Sequence, residues 1–240
     1  NGDGLKLGFY EKTCPKVEAI VQNVIADKIS LAPSLAAPLL RMHFHDCFVR
    51  IKGPYWPVPL GRRDGRVSIA SESLTMPSPF DDITRLKAQF AAKGLSVKDL
   101  VVLSGGHTVG TSHCLGVAVR IYNFTGKGDT DPSLDSDYIP YLKSKCKPAD
   151  TTTLIEMDPG SFRTFDENYY TNVLKRRGLF VSDAALLNDY ETSAYVKLQA
   201  QSKGSTFLKD FQESMVKMGQ IGVLTGDAGE IRRYSNEADA

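Results

Sequence analysis

The chain has 240 residues, 42% hydrophobic and 24% charged, a balance that supports a sizeable core and excludes a disordered or fibrous protein. Its 29 basic and 28 acidic side chains leave a formal charge of +1 with no long run of either sign, so the electrostatic footprint for nucleic acid or an anionic membrane is missing. No apolar run approaches the roughly 20 residues of a membrane helix, and NGDGLKLGFY lacks the charged-then-apolar order of a signal peptide, so the chain reads as soluble and mature.

The periodicity is mainly helical. After Pro15, a good first helical residue, Val17, Ile20, Val21, Val24 and Ile25 recur at three- and four-residue spacing, and Pro33 ends or interrupts the pattern. A second helix is expected across LLRMHFHDCFVR, residues 39 to 50. Residues 51 to 80 follow, where five prolines and three glycines exclude long regular elements. An ordered loop of that length in a compact domain is usually functional.

Asp81 can cap a helix that buries Ile83, Leu86 and Phe90 and stops at Gly94. Ser96 with Asp99 resembles a capping box for the next helix, through Leu100 and Leu103. Asp166 is expected to start another, ending near Gly178, and Phe207, Leu208, Phe211, Met215 and Met218 form a late amphipathic helix. No convincing series of alternating strands occurs. One mainly α-helical unit of two lobes is the expected architecture, a single domain over residues 1–240.

Two of the four histidines, His43 and His45, stand in the 39–50 stretch. Two apart on a helix, they point to different sides and cannot readily share one metal, and no HExxH pattern exists, which disfavours a zinc hydrolase. Arg41 and His45 are four apart and share a face. Such a pair can move a proton and stabilise a negative oxygen, although a buried, hydrogen-bonded core histidine has the same appearance. The other two, His107 and His113, lie in LSGGHTVGTSHC, where two glycines let a flat ligand approach and one imidazole can project from a helix end. The four cysteines permit three disulfide pairings, and the sequon at Asn123 is compatible with a secreted glycoprotein.

Taken together and in order, RMHFHDCFVR, GPYWPVPLGRRDG, LSGGHTVG, RIYNFTG, FDENYY, RGLFVSD and MVKMGQIGVLTGDAGEIRR resemble the secreted haem peroxidases of plants, the class III peroxidases, nearly end to end. The resemblance implies the haem peroxidase fold, helices in two lobes around a haem b, and an enzyme that reduces hydrogen peroxide and oxidises phenolic donors by one-electron steps. Arg41 and His45 match the distal catalytic pair, with Phe44 walling the pocket between them. There His45 would take a proton from the inner peroxide oxygen and return it to the departing one, while Arg41 stabilises the developing charge. His107 matches the proximal iron ligand and Asp183 the carboxylate that accepts its other ring proton. His113 matches a position that contacts a haem propionate, and Pro77 and Phe80 match positions that hold aromatic donors.

The resemblance also implies calcium. Thr108, Asp158, Ser161, Thr164 and Asp166 match the proximal calcium ligands, a hard-oxygen set, although helix caps and turns would use the same residue types. Asp46 is left nearly alone of the distal calcium ligands. Where the family continues from HFHDCFV into further helices, Arg50, Ile51 and Lys52 run straight to Gly53-Pro54-Tyr55-Trp56, so an internal block of the distal lobe is absent. The family pairing implies a Cys114–Cys146 disulfide and leaves Cys14 and Cys47 free unless they find each other. A monomer is expected, secreted to the extracellular space, cell wall or vacuole, with no nucleic-acid or membrane partner. A second reading is a catalytically impaired, haem-poor relative acting as a non-enzymatic extracellular binding protein.

Overall fold

The architecture follows from which local signals find tertiary partners. In a computed structural model, residues 4–31, 56–67, 69–202 and 206–231 are described. Helix α1 spans Val17–Leu31, and after a 3₁₀ turn at Ala70–Thr75 come α2 (Ile83–Ala92) and α3 (Val97–Ser104). A 3₁₀ turn at Gly105–Thr108 leads to strand β1 (Thr111–His113), α4 (Leu115–Tyr122), α5 (Ile139–Lys145) and strand β2 (Leu154–Glu156). The chain closes with α6 (Asn168–Leu174), α7 (Val181–Ala185), α8 (Tyr190–Gln201) and α9 (Phe207–Met218). The two short strands pair antiparallel, Ser112 opposite Ile155, so the mainly α expectation holds.

The cap ahead of α3 is the one expected. Asp99 N donates to Ser96 Oγ at 3.2 Å and Ser96 N to Asp99 Oδ2 at 2.9 Å, which satisfies two N–H groups a helix start leaves open. Helix α2 differs from expectation by one residue. Asp82, not Asp81, accepts the Arg85 N–H at 2.9 Å, while Asp81 accepts Ser78 N at 2.8 Å and pairs with the Arg85 side chain at 3.1 Å. Adjacent carboxylates split the cap and the loop anchor between them. As expected, the helix stops before Gly94, whose φ of +73° suits a residue without Cβ.

Two apolar clusters make the core. The larger gathers Trp56 with Leu86, Leu100, Tyr170, Phe207 and Phe211, joining α2, α3, α6, α8 and α9. Here the late amphipathic helix performs as its pattern implies, with Phe207, Phe211 and Met215 buried. The smaller cluster packs Val117, Ile121, Leu142, Ile155 and Leu179 around a Cys114–Cys146 disulfide whose Cα atoms lie 5.3 Å apart. Cys14 is free and exposed; Cys47 lies outside the described residues.

Helix α1 forms where its period calls for it, yet none of its described apolar side chains is buried. Ile20, Val24 and Leu31 are 54%, 52% and 81% exposed, so the helix is amphipathic in pattern without packing that face. Helix α6 is also shorter than expected, ending at Leu174. Arg176, at φ 58°, turns the chain out of helical geometry before Gly178 is reached.

Asp99 ties α3 to α9 as well as capping α3. Ser214 Oγ donates to it at 2.7 Å and Lys217 Nζ at 3.1 Å. Burial by itself raises its pKa, but the hydrogen bonds from Ser96, Ser214 and Lys217 outweigh burial and bring it from 3.8 to about 2. A carboxylate depressed in this way stabilises the fold fully above its unfolded pKa and loses that contribution as pH falls through the folded value. We expect the stability advantage of the native chain over Asp99→Asn to shrink by about 2 kcal/mol between pH 5 and pH 2. Urea titrations of both proteins across that range measure it, and a pH-independent difference would contradict the assignment.

Candidate active site

The site is built around a residue that local sequence makes conspicuous. His107 sits in the 3₁₀ turn that continues α3, and Gly105 in the same turn has no room for a side chain, since a Cβ there would lie 2.3 Å from the Tyr170 hydroxyl. The imidazole Nδ1 lies 2.8 Å from Asp183 Oδ1, and the rings of Phe180 and Tyr169 meet it edge-on at 5.0 and 6.0 Å. The histidine side chain remains 34% exposed, whereas that of Asp183 is 2% exposed.

Asp183 is held from several directions. Tyr169 Oη donates to Oδ1 at 2.8 Å and Phe180 N donates to Oδ2 at 2.9 Å. Burial drives its pKa upward, but the His107 ring and these donors prevail, so the pKa lies below the ordinary carboxylate value. An ionised carboxylate only accepts, so the proton between the two groups belongs on His107 Nδ1. In the neutral ring this leaves the Nε2 lone pair free, and among the described residues no hydrogen bond engages it. A histidine whose tautomer is fixed by a carboxylate, with Nε2 open, is a prepared metal ligand and fits the proximal position of a haem.

The backbone that delivers Asp183 is itself pinned from α4. Arg120 is fully buried, pairs with Asp131 at 2.7 Å, and donates to the carbonyls of Leu179 and Phe180 at 3.3 and 3.2 Å, as well as to that of Gly178. Gly178 packs directly beneath the aspartate.

Beside His107, Thr108 faces a second cluster. Its hydroxyl oxygen lies 3.0 Å from Asp158 Oδ2, 3.4 Å from the Thr164 carbonyl and 3.5 Å from Asp166 Oδ1. Ser161 Oγ donates to Asp166 Oδ2. One threonine proton cannot serve three acceptors, so oxygen atoms of negative character are in surplus. Burial, with the Asp166 charge adding to it against three hydrogen bonds, pushes the Asp158 carboxyl up to about 6. Among the described residues no three His, Cys, Asp or Glu gather; the donor set is two carboxylates with hydroxyl and carbonyl oxygens, which suits a hard cation.

All five residues expected to hold calcium are thus brought together, as are His107 and Asp183. His113 is exposed at the end of β1. Pro77 and Phe80 are exposed, Phe80 by 50%, in a loop joined to α7 by Ser182 N donating to the Pro79 carbonyl at 3.0 Å. Arg41, Phe44, His45 and Asp46 lie outside the described residues. Sequence reading passed over Tyr169, and also Asn168 and Asn172, whose side-chain amides donate to Asp158 Oδ1 at 2.9 and 2.6 Å. The asparagines are four apart on α6, a spacing that already put them on one face.

Comparison with known proteins gives the family. The sequence profile of the family described as Peroxidase matches residues 49–202. Peroxidase 27 of Arabidopsis thaliana is 49% identical over 301 aligned positions that cover 100% of this chain and 94% of the relative. Peroxidase 56 of the same plant is 47% identical, covering 97% and 90%, and Peroxidase 1 of Oryza sativa subsp. japonica 45%, covering 95% and 91%. The chain belongs to the peroxidase family, with the haem peroxidases of plants. Its class of activity is haem peroxidase, and nothing among these findings favours the non-enzymatic reading. The first alignment has 61 positions more than the chain has residues (301 − 240), so relative to Peroxidase 27 this chain is internally shorter, in keeping with the block missing from its sequence.

A Cβ on Gly178 would lie 2.7 Å from the Asp183 Cβ, closer than packed carbons tolerate. Gly178→Ala is therefore expected to destabilise the fold by about 1–3 kcal/mol by displacing α7. Gly65→Ala, which likewise involves no left-handed φ and would meet only the Val67 carbonyl oxygen at an ordinary 3.6 Å, serves as the comparison. Denaturant midpoints of the two variants measure this, and equal losses would remove the packing argument.

Proposed function

We propose that His107 is the proximal haem ligand of this peroxidase, that Asp183 sets its basicity, and that Arg41 and His45 carry the peroxide chemistry. The observation that carries the reading is the 2.8 Å contact between His107 Nδ1 and a buried, ionised Asp183. Haem, when bound, supplies the iron that takes up peroxide and the two oxidising equivalents that donors later remove. The remaining steps belong to side chains. His107 offers Nε2, and Asp183, by accepting the Nδ1 proton, gives the ring partial imidazolate character and strengthens it as a donor. Tyr169 and the Phe180 N–H keep the carboxylate from rotating away.

On the opposite side His45 accepts a proton from hydrogen peroxide and passes it to the departing oxygen as water forms, while Arg41 stabilises the negative charge that builds on that oxygen. Phe44 would wall the pocket and His113 would be the residue beside a haem propionate. Small phenols are the donors, approaching Pro77 and Phe80, whose exposure supports access. Thr108, Asp158, Ser161, Thr164 and Asp166 bind calcium, and Asp46 is what remains of a distal calcium site. Because Thr108 follows His107 directly, the ion braces the turn that presents the ligand. The chain acts as a secreted monomer of one domain. The Cys114–Cys146 disulfide supports an oxidising compartment, the sequon at Asn123 is exposed for glycosylation, and among the described residues no helix is long and apolar enough to cross a membrane.

The test is visible spectroscopy of the full chain supplied with haemin and calcium, before and after peroxide. We expect a stoichiometric Soret band that is lost in His107→Ala and kept in His45→Ala, whose peroxide reaction slows by about 10²–10⁴. Equal loss of haem in both variants would overturn the division of roles. Asp158→Asn is expected to weaken calcium binding at least about ten-fold, as read by chelator competition. An unchanged affinity would mean that the oxygen cluster is only a set of turns.

A further inference from the structure

Beside α7, Val173, Ala184 and Leu187 line a cavity of about 350 Å³ together with Arg176, Ser133 and Asn188. The volume is at the lower end of small-molecule sites, and the lining follows their usual form, an apolar interior with few polar groups at its edge. Arg176 is the only charged residue in that lining.

Two of the polar groups, Arg176 and Asn188, are exposed and not used by the fold. Among the described residues the Arg176 guanidinium has no hydrogen-bond or ion-pair partner; its backbone alone is engaged, its carbonyl accepting Asp135 N at 2.9 Å. Asp131 and Asp135, which flank Ser133 in sequence, are committed to Arg120 at 2.7 Å and to Arg177 at 2.6 Å. The Ser133 hydroxyl accepts from Arg120 at 3.2 Å and bonds to the Asp131 carboxylate, so it is already taken up. Asn188 likewise has no side-chain partner among the described residues.

Arg176 holds this position at a backbone cost. Its φ of 58° lies in the left-handed region, where glycine or asparagine is at ease and other side chains cost roughly 1–2 kcal/mol. A long cationic side chain is thereby turned out of α6 and into the cavity lining.

We infer that this cavity binds a small organic anion, a monocarboxylate on a flat apolar body. Arg176 takes the carboxylate through its planar fork, Asn188 donates beside it, and the body lies against Val173, Ala184 and Leu187. An uncharged phenol offers the arginine no ion pair, so this ligand class differs from the donor proposed above. Ala184 adjoins Asp183 in α7, which places the ligand one residue from the carboxylate that supports His107.

The test is titration calorimetry of cinnamate into the full chain loaded with haemin and calcium, with the uncharged cinnamamide as the comparison. We expect cinnamate to bind, and cinnamamide, Arg176→Met and Arg176→Gly each to weaken binding about ten-fold or more. Arg176→Gly relieves the left-handed strain and is expected to melt no lower than the native chain, which separates lost binding from lost folding. Phe80→Ala leaves cinnamate affinity unchanged if the site is the cavity. No measurable binding, unchanged affinity in Arg176→Met, or a loss confined to Phe80→Ala would overturn the inference. The same titration on the haem-free chain, whose cavity lining includes no haem-pocket residue, keeps this outcome distinct from any failure to bind haem.

Discussion

A single buried carboxylate organises the site. Asp183 would be costly to bury alone, and the fold offsets that cost with three donors, the His107 ring, the Tyr169 hydroxyl and the Phe180 N–H. Each donor comes from a different element, so satisfying the charge and positioning the histidine are one event. Arg120 extends the arrangement, because a buried guanidinium also needs acceptors and finds them in Asp131 and the 178–180 carbonyls. Two buried charges of opposite sign therefore fix the segment between them.

Helix α6 couples the imidazole site to the oxygen cluster. Tyr169 reaches Asp183, while Asn168 and Asn172 reach Asp158. Tyr170, one residue on, sends its hydroxyl to the α3 carbonyls of Val101 and Val102 at 3.2 and 3.3 Å, just before the turn that carries His107 and Thr108. A displacement of α6 would disturb both sites together. The geometry of the His107 site and that of the oxygen cluster are thus linked through one helix.

What the sequence made legible was what short range decides. The capping box at Ser96 and Asp99 needs only residues three apart, and the turn at Gly94 only a positive φ. The choice between Asp81 and Asp82 is equally short in range, Ser78 N reaching Asp81 and Arg85 N reaching Asp82 each across three residues, but residue type alone does not say which carboxylate takes which donor. Period alone found α1, but a 3.6-residue repeat states which face could be buried and not whether anything covers it. His107, Asp183 and the calcium residues were legible through ordered motifs rather than spacing. Tyr169 stood inside one of those motifs, but its role appears only when α6 and α7 are brought together.

The shortening of the chain bears on how much of the site can persist. Relative to Peroxidase 27, 61 aligned positions have no counterpart (301 − 240), yet the larger cluster closes with Trp56, α2, α3, α6, α8 and α9, and the smaller with α4, α5, β2 and Leu179. The donors to Asp183 and the oxygens around Thr108 all come from residues 107 to 183. A carboxylate-fixed imidazole and a hard-cation site therefore draw their polar contacts from one continuous stretch. The His107–Asp183 arrangement can persist in a chain this much shorter than Peroxidase 27, because all its hydrogen bonds fall within that stretch.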